Sequence, residues 1–258
     1  SANNTVSGNT VNSNLNGIGL TTSSNTVSGN TVNFNKQYGI WVNSNSNTVN
    51  NNTVDSNLLY GIYITASLNT VSGNTVSNNK SHGIFGSGAS NNVIKGNTIS
   101  GNNAGVLLDN GANYNAVINN TISACTEGIQ LNTSGMATAT TNDTIGWNTI
   151  SNSKNNGILV YDNSDLNRVI GNVITGSTLR GIEVINPGGP ATNDPGNGGP
   201  NTYLFNNLRG NVQTADFTTG AAANNQFFDL LDDTGAYGDP GQGSGYRTWH
   251  FSEKGHIA

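Results

Sequence analysis

The phrase Asn69-Thr-Val-Ser-Gly-Asn-Thr-Val76 is one statement of a motif that runs through most of the chain. Its second half returns with asparagines at Asn9, Asn30, Asn52, Asn74, Asn97, Asn120, Asn148 and Asn172, at intervals of 21, 22, 22, 23, 23, 28 and 24 residues. A glycine followed by an aliphatic residue keeps the same beat, as in Gly39-Ile40, Gly61-Ile62 and Gly83-Ile84. A fixed period of this length is the mark of a solenoid, in which each unit packs only on its neighbours. The 258 residues therefore make one elongated domain.

Charged residues are 9% of the chain and apolar residues 33%, against about 25% charged in ordinary domains. Asn, Ser, Thr and Gly fill the difference. Such a composition suits disorder, but a disordered chain does not place Val and Ile on a beat. No stripe of Lys and Arg is present, which excludes a nucleic-acid partner. No run approaches the roughly 18 apolar residues of a membrane helix. Cys125 is the single cysteine, so no intrachain disulfide forms. The chain opens with Ser1, and the repeat is already in phase at Asn4. That start reads as a piece of a longer secreted precursor, placed extracellularly or at the cell surface.

Each unit divides into three short strands. Asn25-Thr-Val27 is followed by a Ser-Gly bend, then Asn30-Thr-Val32, then a polar stretch, then Gly39-Ile-Trp-Val42. Strands alternate their faces, so Val27, Val32, Ile40 and Val42 point inward. No apolar 3.6-residue period survives, which excludes helices. The fold class is all-β: a single-stranded right-handed parallel β-helix of about nine to ten coils. Equivalent residues then stack about 4.8 Å apart, and stacked asparagines can pass hydrogen bonds from coil to coil.

These units resemble the right-handed parallel β-helix repeat family, including pectate-lyase-like enzymes and the periplasmic carbohydrate-binding type found among nitrous oxide reductase maturation proteins. The resemblance spans residues 1 to about 210 and implies the fold. One fold hosts many activities, so it carries function less far. Residues 1–211 form the β-helix, with loop insertions near 133–143 and 186–200, and residues 212–258 supply last strands and a C-terminal cap. The run Asn193-Asp-Pro-Gly-Asn-Gly-Gly-Pro-Asn201 is similar to a loop of large bacterial surface β-helix proteins, though poorer in Asp.

Stacking turns columns of text into surfaces. The outward position of the third strand reads Trp41, Tyr63, Phe85, and the residue before the glycine reads Tyr38, Tyr60, His82. Contiguous exposed aromatics mark a contact site, for a protein partner or a sugar. The candidate acid–base residues on the same strand are Asp109, Glu127, Asp162, Arg180 and Glu183. Glu127 and Glu183 lie two coils apart, roughly 10 Å along the axis, which places them beyond the spacing that paired glycosidase carboxylates use. No zinc or copper spacing is present. Asp232, Asp233 and Asp239, in a glycine-rich loop, are the calcium candidates; no other cofactor is implied. Outward threonines (Thr10, Thr31, Thr53 and onward) resemble the columns of antifreeze β-helices.

The favoured expectation is a structural or adhesive surface protein that associates with itself or with another surface protein through the aromatic column, rather than an enzyme. The alternative is a carbohydrate-binding or carbohydrate-active β-helix, a polysaccharide lyase or glycoside hydrolase, working on the third strand.

Overall fold

The computed structural model describes residues 2–132, 138–161, 164–185 and 201–211, with two further strands at Gln213–Phe217 and Gln226–Phe228. The chain winds into a right-handed parallel β-helix with three sheets. The first sheet runs from Thr5–Ser7 to Gln226–Phe228 through ten strands. The second runs from Thr10–Asn12 to Val173–Thr175 through eight. The third runs from Ile18–Leu20 to Gln213–Phe217 through nine. Every pairing is parallel and joins one coil to the next, as where Trp41 meets Tyr63 and Val32 meets Val54. Eight coils have all three strands among the described residues. Beyond them lie Thr202–Leu204, the bridge of Val173 to Asn207, and the two strands named above.

The core is a column of aliphatic side chains, three to four per coil. Val27, Val32, Ile40 and Val42 are wholly buried, and so are their counterparts in later coils. The recurrent glycine has a spatial cause. A Cβ on Gly39 would stand 2.5 Å from Val54 Cγ1 and 2.7 Å from the Gly61 carbonyl oxygen; one on Gly61 would meet Val76 and Gly83 at 2.6 and 2.7 Å. The third sheet enters each coil so close to its neighbour that no side chain fits.

Asparagine ladders close the corners. Along one, the Asn52 amide N–H and Nδ2 both donate to Asn74 Oδ1, at 2.9 and 3.0 Å, and Asn74 does the same to Asn97. The Asn74 Nδ2 also donates to the Val49 carbonyl, at 3.0 Å. Buried polar groups must be paired, and this arrangement pairs backbone and side chain across three coils. A second ladder descends through Asn47, Asn69, Asn92 and Asn115. A third descends through Asn35, Asn57, Asn79 and Asn102.

The bulge expected over 133–143 ends earlier than the sequence suggests. Asp143 already holds a rung of the second ladder and is fully buried. Its Oδ1 accepts from the Asn115 N–H and Nδ2, at 2.6 and 3.1 Å. Its Oδ2, where an asparagine would carry a donor, has no hydrogen-bond partner. Burial lifts this carboxyl to a pKa of about 7. The 186–200 loop, the expected cap over 212–258 apart from its two strands, and Asp162, Asp232, Asp233 and Asp239 lie outside the described residues.

Candidate functional site

The third sheet carries on its outer face those of the predicted site residues that fall among the described residues. In the early coils the two aromatic columns interlock. Tyr38, Tyr60 and His82 stack at 5.5 Å between successive centroids, with planes 5° and 14° apart. Tyr63 and Phe85 stack at 5.3 Å, and Tyr60 meets Phe85 edge-on at 4.9 Å. Parallel rings at this spacing cannot lie flat beside one another, because a ring with its hydrogens is wider than the gap. They are tilted plates, each covering part of the next one's face. Phe85 is buried, and the four other carbocyclic rings are half-buried. The Trp41 indole N–H donates to Thr65 Oγ1 at 3.3 Å, which fixes the ring's orientation.

His82 is part of this stack rather than a free base. Its Nδ1 has no hydrogen-bond partner. Burial pulls its pKa down to about 4, against an opposing pull from Asp109, so the ring is neutral at pH 7. Burial also raises the Tyr60 and Tyr63 phenols. Asp109 stands at this end of the sheet, in register with Ser87, with its Oδ1 on the Asn110 N–H at 2.6 Å.

Further along, the columns change chemistry. Glu127, Asn156 and Arg180 continue the line of Tyr38, Tyr60 and His82; Leu107, Gln130, Leu159 and Glu183 continue that of Trp41, Tyr63 and Phe85. The sequence reading holds Glu127 and Glu183 too far apart to cooperate. Asn156, on the intervening coil, hydrogen-bonds to both. The Asn156 N–H donates to Glu127 Oε2 at 3.0 Å, and its Nδ2 donates to Glu183 Oε2 at 2.7 Å. Asn155 Nδ2 adds a bond to Glu127 Oε1 at 2.8 Å, and Arg180 Nη1 one to Glu183 Oε1 at 2.7 Å. Burial raises the Glu127 pKa, its hydrogen bonds oppose this, and the Glu183 charge adds to the rise. Burial raises the Tyr161 phenol, and both glutamates push it further, which places its hydroxyl in their field. Asn155, Asn156 and Tyr161 were missed from sequence. Asn156 sits in a column that the glycine beat identifies, yet one asparagine among so many gives no signal.

A family described as periplasmic copper-binding protein (NosD) matches residues 1–143, more than half of the chain. The chain belongs to the NosD family. No curated protein matches it. Among solved structures, it resembles a double mutant of the periplasmic alginate epimerase AlgG, with TM-score 0.66, 20% identity, and coverage of 81% of this chain and 50% of that one. It resembles the A-module of the Azotobacter vinelandii mannuronan C-5 epimerase AlgE4 (0.59, 14%, 82% and 60%). It also resembles the catalytic domain of a GH87 α-1,3-glucanase in complex with nigerose (0.54, 14%, 88% and 50%). At these identities the likeness establishes the β-helix, and the chain spans about half the length of the epimerase. The family's description names copper. Among the described residues no three His, Cys, Asp or Glu side chains form a group that holds a metal. His82 is wedged between rings, and Cys125 is buried in the core.

Proposed function

We propose that this member of the NosD family is a carbohydrate-binding β-helix of the cell envelope, which lays a polysaccharide along the outer face of its third sheet. One observation carries the reading: a single register line joins the aromatic rows to the acid cluster, from Trp41 through Tyr63, Phe85, Leu107, Gln130 and Leu159 to Glu183. Six coil steps span about 29 Å at 4.8 Å each, with Trp41, Tyr63 and Gln130 partly exposed and Phe85, Leu107, Leu159 and Glu183 buried along it. Its aromatic rings, phenol hydroxyls, amides and carboxylates are the mixed apolar and polar groups that sugars need. The activities of the structural neighbours, on alginate, mannuronan and α-1,3-glucan, support the same choice. The family's periplasmic description supports an envelope location. The structural or adhesive reading draws less support from these neighbours.

Affinity electrophoresis in gels cast with neutral and acidic polysaccharides tests this. Retardation by at least one glycan is expected, with Trp41→Ala weakening it about tenfold, or 1.4 kcal/mol. Mobility unchanged in every gel, together with concentration-dependent self-association in sedimentation, would restore the adhesive reading.

A further inference from the structure

The first sheet, on a different side of the β-helix from the third, changes character along its length. Its strands turn their first and third residues outward. The column of third residues begins with Ser7, Ser28, Asn50 and Ser72. From the fifth coil it reads Lys95, Ile118, Gly146, Ile170 and Leu204. The Cγ2 atoms of Ile170 and Ile118 lie 3.3 and 3.7 Å from where a Gly146 Cβ would stand, so the apolar column is continuous over the glycine. Lys95 and Arg168 are exposed on this face. The chain carries a net charge of −5, yet no outward position of this sheet from Val93–Lys95 to Thr202–Leu204 holds a carboxylate. Asp165, at the corner beside Leu166, is partly buried.

The corners that border this sheet are unusual in their backbone. Among the described residues, six leucine or aromatic side chains sit at left-handed φ: Phe34, Leu68, Tyr114, Trp147, Leu166 and Phe205. Residues of this size rarely do, because Cβ crowds the following carbonyl oxygen. Five of the six stand on the two edges of the first sheet. Leu68, Tyr114 and Leu166 come just before its strands, two coils apart, and Trp147 and Phe205 come directly after them. All five are between 44% and 60% exposed. Equivalent corners use Gly96, Asn119 and Gly171, so the fold does not require large side chains there. Backbone strain kept without burial in return points to a task outside the chain.

We propose that the later half of the first sheet docks on an anionic lipid surface, with the five corner side chains entering the bilayer interface and Lys95 and Arg168 meeting lipid phosphates. This stands apart from the polysaccharide reading, which uses the third sheet. Aliphatic and aromatic groups joined to cations, with no carboxylate among them, suit a surface that is negative at its headgroups and apolar beneath. Trp and Tyr at the edges match the depth at which such rings rest in a bilayer. A sugar chain would call for the hydroxyls and amides that dominate the first four coils. An isologous pairing with a second copy would set Lys95 and Arg168 against their own kind. From Leu68 to Phe205 is five coil steps, about 24 Å at 4.8 Å each, so the contact runs along the solenoid rather than across its end.

Flotation of the full chain with vesicles tests this. Vesicles of phosphatidylcholine alone are compared with vesicles of phosphatidylcholine and phosphatidylglycerol in equal parts, at low and at high salt. The protein should float with the anionic vesicles, less so as salt rises, and stay behind with the neutral ones. Trp147→Gly and Phe205→Gly suit a left-handed backbone and so keep the fold; each should weaken partition about tenfold. Lys95→Gln and Arg168→Gln should weaken it about fivefold each. Phe34→Gly, on the corner away from this sheet, should leave it unchanged. Equal flotation with both vesicle types, flotation with neither, or anionic binding indifferent to the first-sheet substitutions overturns the proposal. So does an absence of vesicle binding joined to retardation in an acidic-polysaccharide gel that Trp147→Gly abolishes, which would assign the face to a glycan. Should Trp147→Gly unfold, Phe205→Gly and the two Gln variants carry the same comparison.

Discussion

The coils that carry Tyr38 to Phe85 and those that carry Glu127 to Glu183 share one backbone plan and differ in how strictly they keep it. In the first group the period is 21–23 residues and all three ladders are asparagine. In the second group the period stretches to 28 and then 24. There the third ladder gives way to Cys125, Ser153 and Ser177, and the second accepts Asp143. The acid cluster lies in these less regular coils. Repetition builds a stack; a distinct local cluster needs residues its neighbours lack.

The comparison can be broken most directly at the ladders. Asn74→Ala removes an acceptor used by two Asn52 donors and strands the partners of its own amide, at about 1–3 kcal/mol per unsatisfied group. A loss of about 4 kcal/mol in urea unfolding is expected, against about 1 kcal/mol or less for Ser177→Ala in the less regular half. Equal losses would mean that both halves rely on their ladders alike.

Asp143 sharpens the contrast through pH. Its raised pKa means that the folded chain holds a proton the unfolded chain releases, so stability falls as pH rises from the ordinary carboxyl range to about 7. Asp143→Asn restores the missing donor. It should stabilise the protein by about 2 kcal/mol at pH 8 and by little at pH 5, read from melting curves at both. A gain independent of pH would show that Asp143 is ionised throughout.

Within the aromatic half, Tyr60→Ala removes the ring that contacts Tyr38, Tyr63, His82 and Phe85. Pairs of this kind contribute about 0.5–1.5 kcal/mol each, and a net cost of about 2 kcal/mol is expected after repacking. The same change wets His82, and its NMR titration should move from about 4 toward 6.5. The smallest effect belongs to Trp147, which is 54% exposed at a left-handed φ of 52° and lies over Gly171. Trp147→Gly should be neutral or stabilise by up to about 1 kcal/mol, since glycine adopts that backbone without strain.

The fold was legible because its cause is local and repeated. Val and Ile on a fixed beat mark the inner wall, Asn before Thr-Val marks the ladder, and Gly before Ile marks the close approach. The aromatic columns were legible for the same reason, although their tilt was not, since tilt depends on how wide rings share a narrow spacing. The acid cluster was half legible. Glu127 and Glu183 could be placed on the right face by counting. Their convergence on Asn156 depends on side-chain rotamers, which no repeat encodes. Asp143 was misread as part of an insertion, because a lengthened unit hides where the rung resumes.

The missing side chain at Gly39 is occupied by a methyl group from Val54, and that at Gly61 by one from Val76. Harm from a larger residue at such a glycine would therefore fall on the next storey of the stack. Genetic repair should be sought fifteen positions downstream, where trimming the valine reopens the space, rather than beside the original lesion.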